Sequence, residues 1–232
     1  RKQDEAAYLE EAGRFYELTE ALDRENHYMI ANMLSVRRSL EHANEKRREM
    51  EKANERLLEK SETDPLTRLA NRFRLNDYLE HAFERARDDH RAFAVEILDI
   101  DYFKEYNDNY GHQAGDACIV AIADELRKMQ SSDTFCARYG GDEFIIIYEY
   151  KTEDEVFSMA DSLRERILDR RIEHVCSKAL PVVTISQGIC FDVAPEGSRS
   201  WDFLHAADMM LYEVKKRSRN NISLGHLDAK EA

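Results

Sequence analysis

The sequence predicts an α/β chain of the α+β kind: a mixed or antiparallel central sheet flanked by helices, preceded by one long coiled-coil helix. Three observations carry this. Of 232 residues only three are proline, at 65, 181 and 195, and Gly13 alone of the eight glycines precedes Gly111, so residues 1–62 hold almost no helix breakers. A seven-residue apolar repeat runs through that stretch. Beyond it strand-like and helix-like runs alternate, and a hairpin signal interrupts them, which argues against a purely parallel sheet.

The repeat places Tyr8, Phe15, Leu22, Met29, Val36, Ala43, Met50 and Leu57 at d, with Ala12, Thr19, Asn26, Met33, Leu40, Arg47 and Asn54 at a. A 3.5-residue period sustained this long predicts a left-handed coiled coil about 90 Å in length. Asn26, Arg47 and Asn54 weaken the seam but restrict register and favour two strands. A single amphipathic helix lying on its own domain is the alternative, but one domain of this size cannot cover so long a helix. The segment 61–67 ends the repeat, because Pro65 cannot continue the helix and pushes Asp64 towards extended backbone. Thr67 or Asn71 then caps a helix over 72–87, with Phe73, Leu75, Leu79 and Phe83 on its apolar side. A strand over 92–101 follows, then a helix over 113–129, strands over 134–138 and 143–150, a helix over 152–170, a strand over 182–191 and a helix over 201–217. The expected domains are 1–62, a dimerisation and signalling helix, and 63–232, a globular domain.

Composition narrows the function. Charged residues reach 35% and the net charge is −13, which excludes a nucleic-acid binder working by bulk charge. No apolar run is long enough to span a membrane, and no signal-peptide pattern opens the chain. A first residue of Arg suggests a fragment with something upstream. Cys118, Cys136, Cys176 and Cys190 lack CxxC spacing and have apolar neighbours, so they read as buried, reduced thiols of a cytoplasmic protein rather than a zinc site.

The chain has no GxxxxGK[ST] loop, GxGxxG, GxSxG, HExxH or EF-hand loop. Its chemistry lies elsewhere. Asp99-Ile100-Asp101 closes an apolar strand, and alternation sends both aspartates to one face. Alone, these are ordinary solvated carboxylates at a strand end. Arg138-Tyr139-Gly140-Gly141-Asp142-Glu143-Phe144 joins two strand-like runs, and its glycines allow a tight turn and a ligand's close approach. If that hairpin lies beside the first strand, three or four carboxylates converge and repel one another. A divalent cation relieves the repulsion, and hard oxygen ligands suit Mg²⁺ holding a nucleotide's phosphates.

Gly140-Gly141-Asp142-Glu143-Phe144 matches letter for letter the signature of the GGDEF family, the diguanylate cyclases. Asp64-Pro65-Leu66-Thr67-Arg68-Leu69-Ala70-Asn71-Arg72 resembles that domain's opening DxLTGLxNR, and Asp99 to Lys104 with Asn107-Asp108 resembles DIDxFKxxND. Gly111 to Asp116 resembles GHxxGD, and Lys215 with Arg219-Asn220 resembles the closing KxxGRN. Order and spacing agree over about 160 residues, 63–222.

The resemblance implies a fold similar to nucleotidyl cyclases and polymerase palms, and condensation of two GTP into cyclic di-GMP with release of two pyrophosphates. Asp99, the Ile100 carbonyl and Asp142 match the family's ligands for two Mg²⁺. Asp142 or Glu143 would assist loss of the ribose 3′-OH proton, and the motif does not choose between them. Asn107 and Asp116 match the guanine readers, His112 a further substrate contact. The backbone of Tyr102, Phe103 and Lys104, with the side chains of Lys215 and Arg219, would hold the β- and γ-phosphates. Singly, Lys215 and Arg219 read as a solvated helix end, Asn107 as a turn and His112 as a loop histidine. Only the joint pattern makes them a site.

Arg68 and Ser218 stand where the family carries glycine. Where many members carry RxxD, a product-inhibition site, this chain has Ser131 and Thr134, so no product inhibition is expected there. One domain holds one GTP and the reaction needs two, so the expected enzyme is a homodimer through residues 1–62, controlled by a missing upstream sensor. A GTP-binding regulatory module, a coiled-coil scaffold and an enzyme making a mixed cyclic dinucleotide are the competing readings. Intact Asp99, Asp142 and Glu143 argue against the first, the complete nucleotide constellation against the second and Asp116 against the third.

Overall fold

A computed structural model describes residues 2–60, 62–195 and 197–227. Ser61 in the link and residues 228–232 at the end of the expected second domain lie outside the described residues, and the side chains of Tyr8, Ala12 and Phe15 lie outside the described part of the first helix. The chain divides into two units, 1–60 and 61–232.

The first unit is one continuous helix, α1 (Lys2–Lys60). Along it Leu22, Met29, Met33, Val36, Leu40, Met50 and Leu57 are each more than half exposed, so the heptad line is an uncovered apolar seam. Ion pairs four residues apart, Arg24–Glu20, Arg37–Glu41 and Arg47–Glu51, support the helix, the last of them from the seam position of Arg47. Residues 22–52 fit a coiled-coil segment.

The second unit is a mixed five-stranded sheet between two layers of helices, as the sequence predicts. Asp64 accepts hydrogen bonds from the Thr67 N–H (2.8 Å) and hydroxyl (2.7 Å), which closes the turn over Pro65 and takes Thr67 out of any capping role. Asn71 is the cap, accepting from the Arg74 N–H at the start of α2 (Arg72–Asp88). Leu75, Leu79, Ala82, Phe83 and Ala86 bury one side of α2, while Phe73 is 55% exposed, about 200° round the helix from Leu75. The remaining elements are β1 (Ala92–Ile100), α3 (Phe103–Tyr110), α4 (His112–Met129), β2 (Thr134–Gly140), β3 (Glu143–Glu149), α5 (Glu153–Asp169), β4 (Ile185–Val193), α6 (Ser200–Arg217) and β5 (Ile222–Gly225). The sheet order is β2-β3-β1-β4-β5, antiparallel except for the β4/β5 pair.

α3, α4 and α5 cover one face of the sheet over Leu98, Phe144, Ile146 and Ile189. α2 and α6 cover the other over Val95, Ile97, Ile145 and Ile147. Strand β1 is therefore buried on both faces, which is why its sequence is a nearly unbroken apolar run. Gly188 in β4 lets α6 lie directly on the sheet: a Cβ there would meet the Leu211 nitrogen at 2.2 Å and the Ala207 carbonyl oxygen at 2.3 Å. That close seating fixes where the last turn of α6, with Lys215, reaches the end of β1.

Two elements are absent from the sequence reading. α3 is mostly polar and buries only Phe103 and Tyr106, so its letters read as a turn. β5 has four half-buried residues. Cys118, Cys136 and Cys190 are buried free thiols as expected, but Cys176 is exposed on the polar loop between α5 and β4, where its neighbour Val175 is exposed too.

Glu96, in the middle of β1, is a buried carboxyl. It accepts from the Tyr148 hydroxyl (2.6 Å) and the Gln187 amide (2.7 Å), yet burial prevails and pushes its pKa up to about 7. A folded value above the unfolded one stabilises the fold at low pH, and that contribution is lost as pH rises through the folded value. Between about pH 5 and about pH 8, wild type should lose roughly 2–3 kcal/mol more stability than Glu96→Gln. Denaturant unfolding at several pH values measures this, and parallel curves for the two proteins would contradict it.

Candidate active site

The site forms where β1 ends. Strand assignment stops at Ile100, but Asp99 and Asp101 keep the one face that alternation predicts: Asp99 stands opposite Ser186 in the β1/β4 register, and Asp101 takes the Ser186 and Thr184 hydroxyls on that same face. Asp101 turns inward and is fully buried. It accepts from the Thr184 hydroxyl (2.7 Å), the Ser186 hydroxyl (2.6 Å) and the Asn220 N–H (3.0 Å), and pairs with Arg219 at 3.6 Å. With its oxygens committed, Asp101 is an anchor and not a free ligand. Tyr102 follows in the left-handed region (φ 56°), and α3 begins at Phe103. The Arg219 guanidinium stacks on the Tyr102 ring at 4.3 Å. The backbone of Tyr102, Phe103 and Lys104, which the family resemblance assigns to phosphate, thus opens a helix, where the first N–H groups face outward and favour anions.

The hairpin between β2 and β3 brings Asp142 and Glu143 alongside, with Glu143 directly opposite Asp99 in the β1/β3 register. Gly141 supplies the positive φ of 53° at the turn. Arg138 braces it, donating to the Gly141 carbonyl from Nε (3.1 Å) and Nη2 (2.7 Å) while pairing with Asp64 at 3.2 Å. The motif that opens the domain therefore holds the signature turn through one arginine. The sequence reading missed Arg138, although it stands just before the two glycines.

Asp99, Asp142 and Glu143 form the charged cluster, and Lys215 of α6 reaches it with Nζ 2.8 Å from Asp99 Oδ2. Burial raises the Asp99 pKa to about 6, Lys215 opposes the rise, and the charges of Asp142 and Glu143 add to it. Glu143 is raised in the same way, first by burial and then by Asp142 and Asp208, against Lys215. Asp208 is a neighbour the sequence reading did not name. It lines a cleft of about 340 Å³ beside Glu143, with Tyr139, Trp201 and His205. Among the described residues no three His, Cys, Asp or Glu side chains close on one point. Two carboxylates, Asp99 and Asp142, with the carbonyl of Ile100 at the strand end, are the oxygens that could hold a metal. That partial shell of hard oxygens, held at a charge repulsion a cation relieves, fits a divalent metal completed by phosphate and water.

On the other side of the strand end, α3 and α4 pack at Gly115, where a Cβ would lie 1.9 Å from Asn107 Oδ1. That oxygen is buried without a hydrogen-bond partner in the chain. Asp116, the next residue of α4, is exposed, as are His112 at its start and Lys104 on α3. The residues singled out in the sequence thus fall into two groups at one end of the sheet. Asp99, Asp142, Glu143 and Lys215 lie at the strand ends, and Asn107, His112 and Asp116 lie on α3 and α4. Lys215 and Arg219 are engaged with Asp99 and Asp101.

Residues 61–221 match the family model described as diguanylate cyclase, GGDEF domain, and the chain belongs to that family. It is 34% identical over 170 residues to the bifunctional diguanylate cyclase/cyclic di-GMP phosphodiesterase MucR of Pseudomonas aeruginosa, covering 73% of this chain and 24% of MucR. It is 30% identical over 178 residues to the diguanylate cyclase DgcP of Escherichia coli, covering 77% of this chain and 51% of DgcP. The crystal structure of the coiled coil and GGDEF domain of DgcB from Caulobacter crescentus, in complex with c-di-GMP, superposes with a TM-score of 0.66 at 28% identity, covering 82% of this chain and all of that one. The chain spans between a quarter and about half of these two curated relatives.

Gly115→Ala tests the α3/α4 packing. The methyl group must displace the Asn107 amide, while alanine suits a helix interior better by about 1 kcal/mol. Calorimetric titration should show guanine-nucleotide affinity falling about tenfold or more, with thermal stability close to wild type. Unchanged affinity would dissociate Asn107 from nucleotide recognition.

Proposed function

We propose that this chain is a diguanylate cyclase: two GTP are condensed into cyclic di-GMP, and two pyrophosphates leave. The observation that carries the reading is the carboxylate cluster of Asp99, Asp142 and Glu143 beside Lys215, next to a helix N-terminus and the unpartnered buried oxygen of Asn107. In this reading residues 1–62 are the dimerisation helix and 63–232 the catalytic domain.

Asn107 and Asp116 hold guanine: the carboxylate accepts from N1–H and the exocyclic amine, and the amide pairs at N3 and the same amine. His112 adds a contact. The N–H groups at Phe103 and Lys104, following Tyr102, receive the β- and γ-phosphates, with Lys215 and Arg219 as cations. Asp99, the Ile100 carbonyl and Asp142 would hold two Mg²⁺, which when bound would supply positive charge to offset that of the phosphates and of the reacting oxygens. The 3′-oxygen of one GTP bonds to the α-phosphorus of the other, the bond to pyrophosphate breaks, and the 3′-OH proton passes to Asp142 or Glu143. Glu143, whose affinity for a proton is raised by burial and its acidic neighbours, suits that role. A second, symmetric step closes the ring.

Each domain brings one GTP, so two copies must face each other, and the exposed seam of α1 is the surface that pairs them. Parallel pairing sets the two sites in register. An upstream sensor acting on this helix, in a cytoplasmic protein, completes the reading, and the longer relatives leave room for one. Among the described residues no helix is long and apolar enough to cross a membrane.

Product analysis by liquid chromatography tests the proposal. With GTP and Mg²⁺, wild type should yield cyclic di-GMP, and Glu143→Gln should yield about a hundredth as much or less. A GTP/ATP mixture should give the same product. GTP bound but never converted would contradict the proposal.

A further inference from the structure

The loop between α5 and β4 carries a buried histidine that neither the motifs nor the mechanism above uses. His174 is fully buried, and its Nε2 lies 3.1 Å from the Tyr102 carbonyl oxygen. A carbonyl only accepts, so the proton sits on Nε2, and Nδ1 is left buried without a partner. The ring meets Tyr106 edge to face at 5.2 Å. The next residue, Val175, donates its N–H to the Tyr110 hydroxyl at 3.1 Å. The loop thus grips both ends of α3, and it is itself tied down by His174 N–H to the Pro181 carbonyl (3.0 Å) and Val183 N–H to the Ile172 carbonyl (2.8 Å). A phenylalanine would fill the same space without orphaning a nitrogen. What the imidazole adds is the donor to Tyr102.

That donor has a directional consequence. The Tyr102 oxygen also accepts the first helical hydrogen bond, from the Tyr106 N–H at 3.0 Å, so both its lone pairs are engaged inward. In a planar trans peptide the C=O of one residue and the N–H of the next point opposite ways. Fixing the Tyr102 carbonyl inward therefore aims the Phe103 N–H outward, at the head of the unpaired donors of α3. Tyr102 holds a left-handed conformation unfavourable for a residue with a side chain, so the peptide stays in place only if its surroundings over-determine it. Asp101 fixes it from the strand end, Arg219 over the ring and His174 at the carbonyl.

We propose that His174 is a positioning residue for the nucleotide's terminal phosphates: its hydrogen bond to Tyr102 aims the backbone donors at the start of α3. The inference rests on the phosphate placement under Proposed function. The test compares wild type, His174→Phe, which keeps the ring but cannot donate, and His174→Gln, whose amide can. Each is followed by thermal unfolding, by calorimetry with a non-hydrolysable GTP analogue and Mg²⁺, and by steady-state kinetics. Affinity of the Phe variant should fall by about fivefold to tenfold, the cost of one positioned hydrogen bond, with KM rising alike and kcat within about twofold. The Gln variant should recover most of the loss. If the Phe protein does not fold, His174→Met serves as the donor-free partner to Gln. Affinity of the donor-free variant within about twofold of wild type, or a Gln variant equally weak, would overturn the inference. Wild type that binds the analogue but makes no cyclic product would sink the cyclase reading and leave the affinity comparison intact. Wild type that binds no nucleotide would sink both.

Discussion

The buried carboxylate of Asp101 is the joint on which the functional end of the domain turns. A charge removed from water is tolerated only where hydrogen bonds and an opposite charge replace the solvent. Thr184 and Ser186 from the β4 side, the Asn220 backbone after α6, and Arg219 supply these. One side chain so ties the end of β1 to the neighbouring strand and to the turn leading into β5. Directly after it the chain leaves strand geometry at Tyr102, and α3 starts at Phe103.

Around that joint the site is assembled from groups that compete. Asp99 and Glu143 face each other across adjacent strands, partly buried and close to Asp142, and folding alone gains nothing from this crowding. Lys215 offsets part of the repulsion, and it can do so because Gly188 lets α6 sit against the sheet. Arg138 performs the equivalent service for the hairpin, linking the Asp64 turn to the Gly141 carbonyl. The stabilising core lies on both faces of the sheet, and the crowded carboxylates of the site lie at its end. Stability and function thus have separate addresses within one domain.

Much of this is legible in the sequence because it rests on period and punctuation. The heptads of α1, the unbroken apolar run of β1 and the paired glycines of the hairpin each leave a local trace. The joint reading of Asp99, Asn107, Asp116, Asp142 and Lys215 depends on several short motifs together, since none is diagnostic alone. What stays hidden is tertiary. Alternation puts Asp101 on the face of Asp99, but nothing local says that Thr184, Ser186 and Arg219 claim the oxygens of Asp101. α3 is hidden for the same reason: its helical state is imposed by the anchor before it and the loop over it, against a polar composition. Arg138, His174 and Asp208 act across 74, 72 and 65 residues of chain, on Asp64, Tyr102 and Glu143, and short-range pattern cannot see so far.

The division of labour between the two aspartates is the account's central claim, and paired unfolding curves test it most directly. Asp101→Asn strips a satisfied buried charge of its role and should cost about 3 kcal/mol of stability. Asp99→Asn relieves a carboxylate whose ionisation burial already opposes, and should leave stability within about 1 kcal/mol of wild type or raise it. Equal losses for the two variants, or the larger loss at Asp99, would contradict the assignment of Asp101 to the framework and Asp99 to the chemistry.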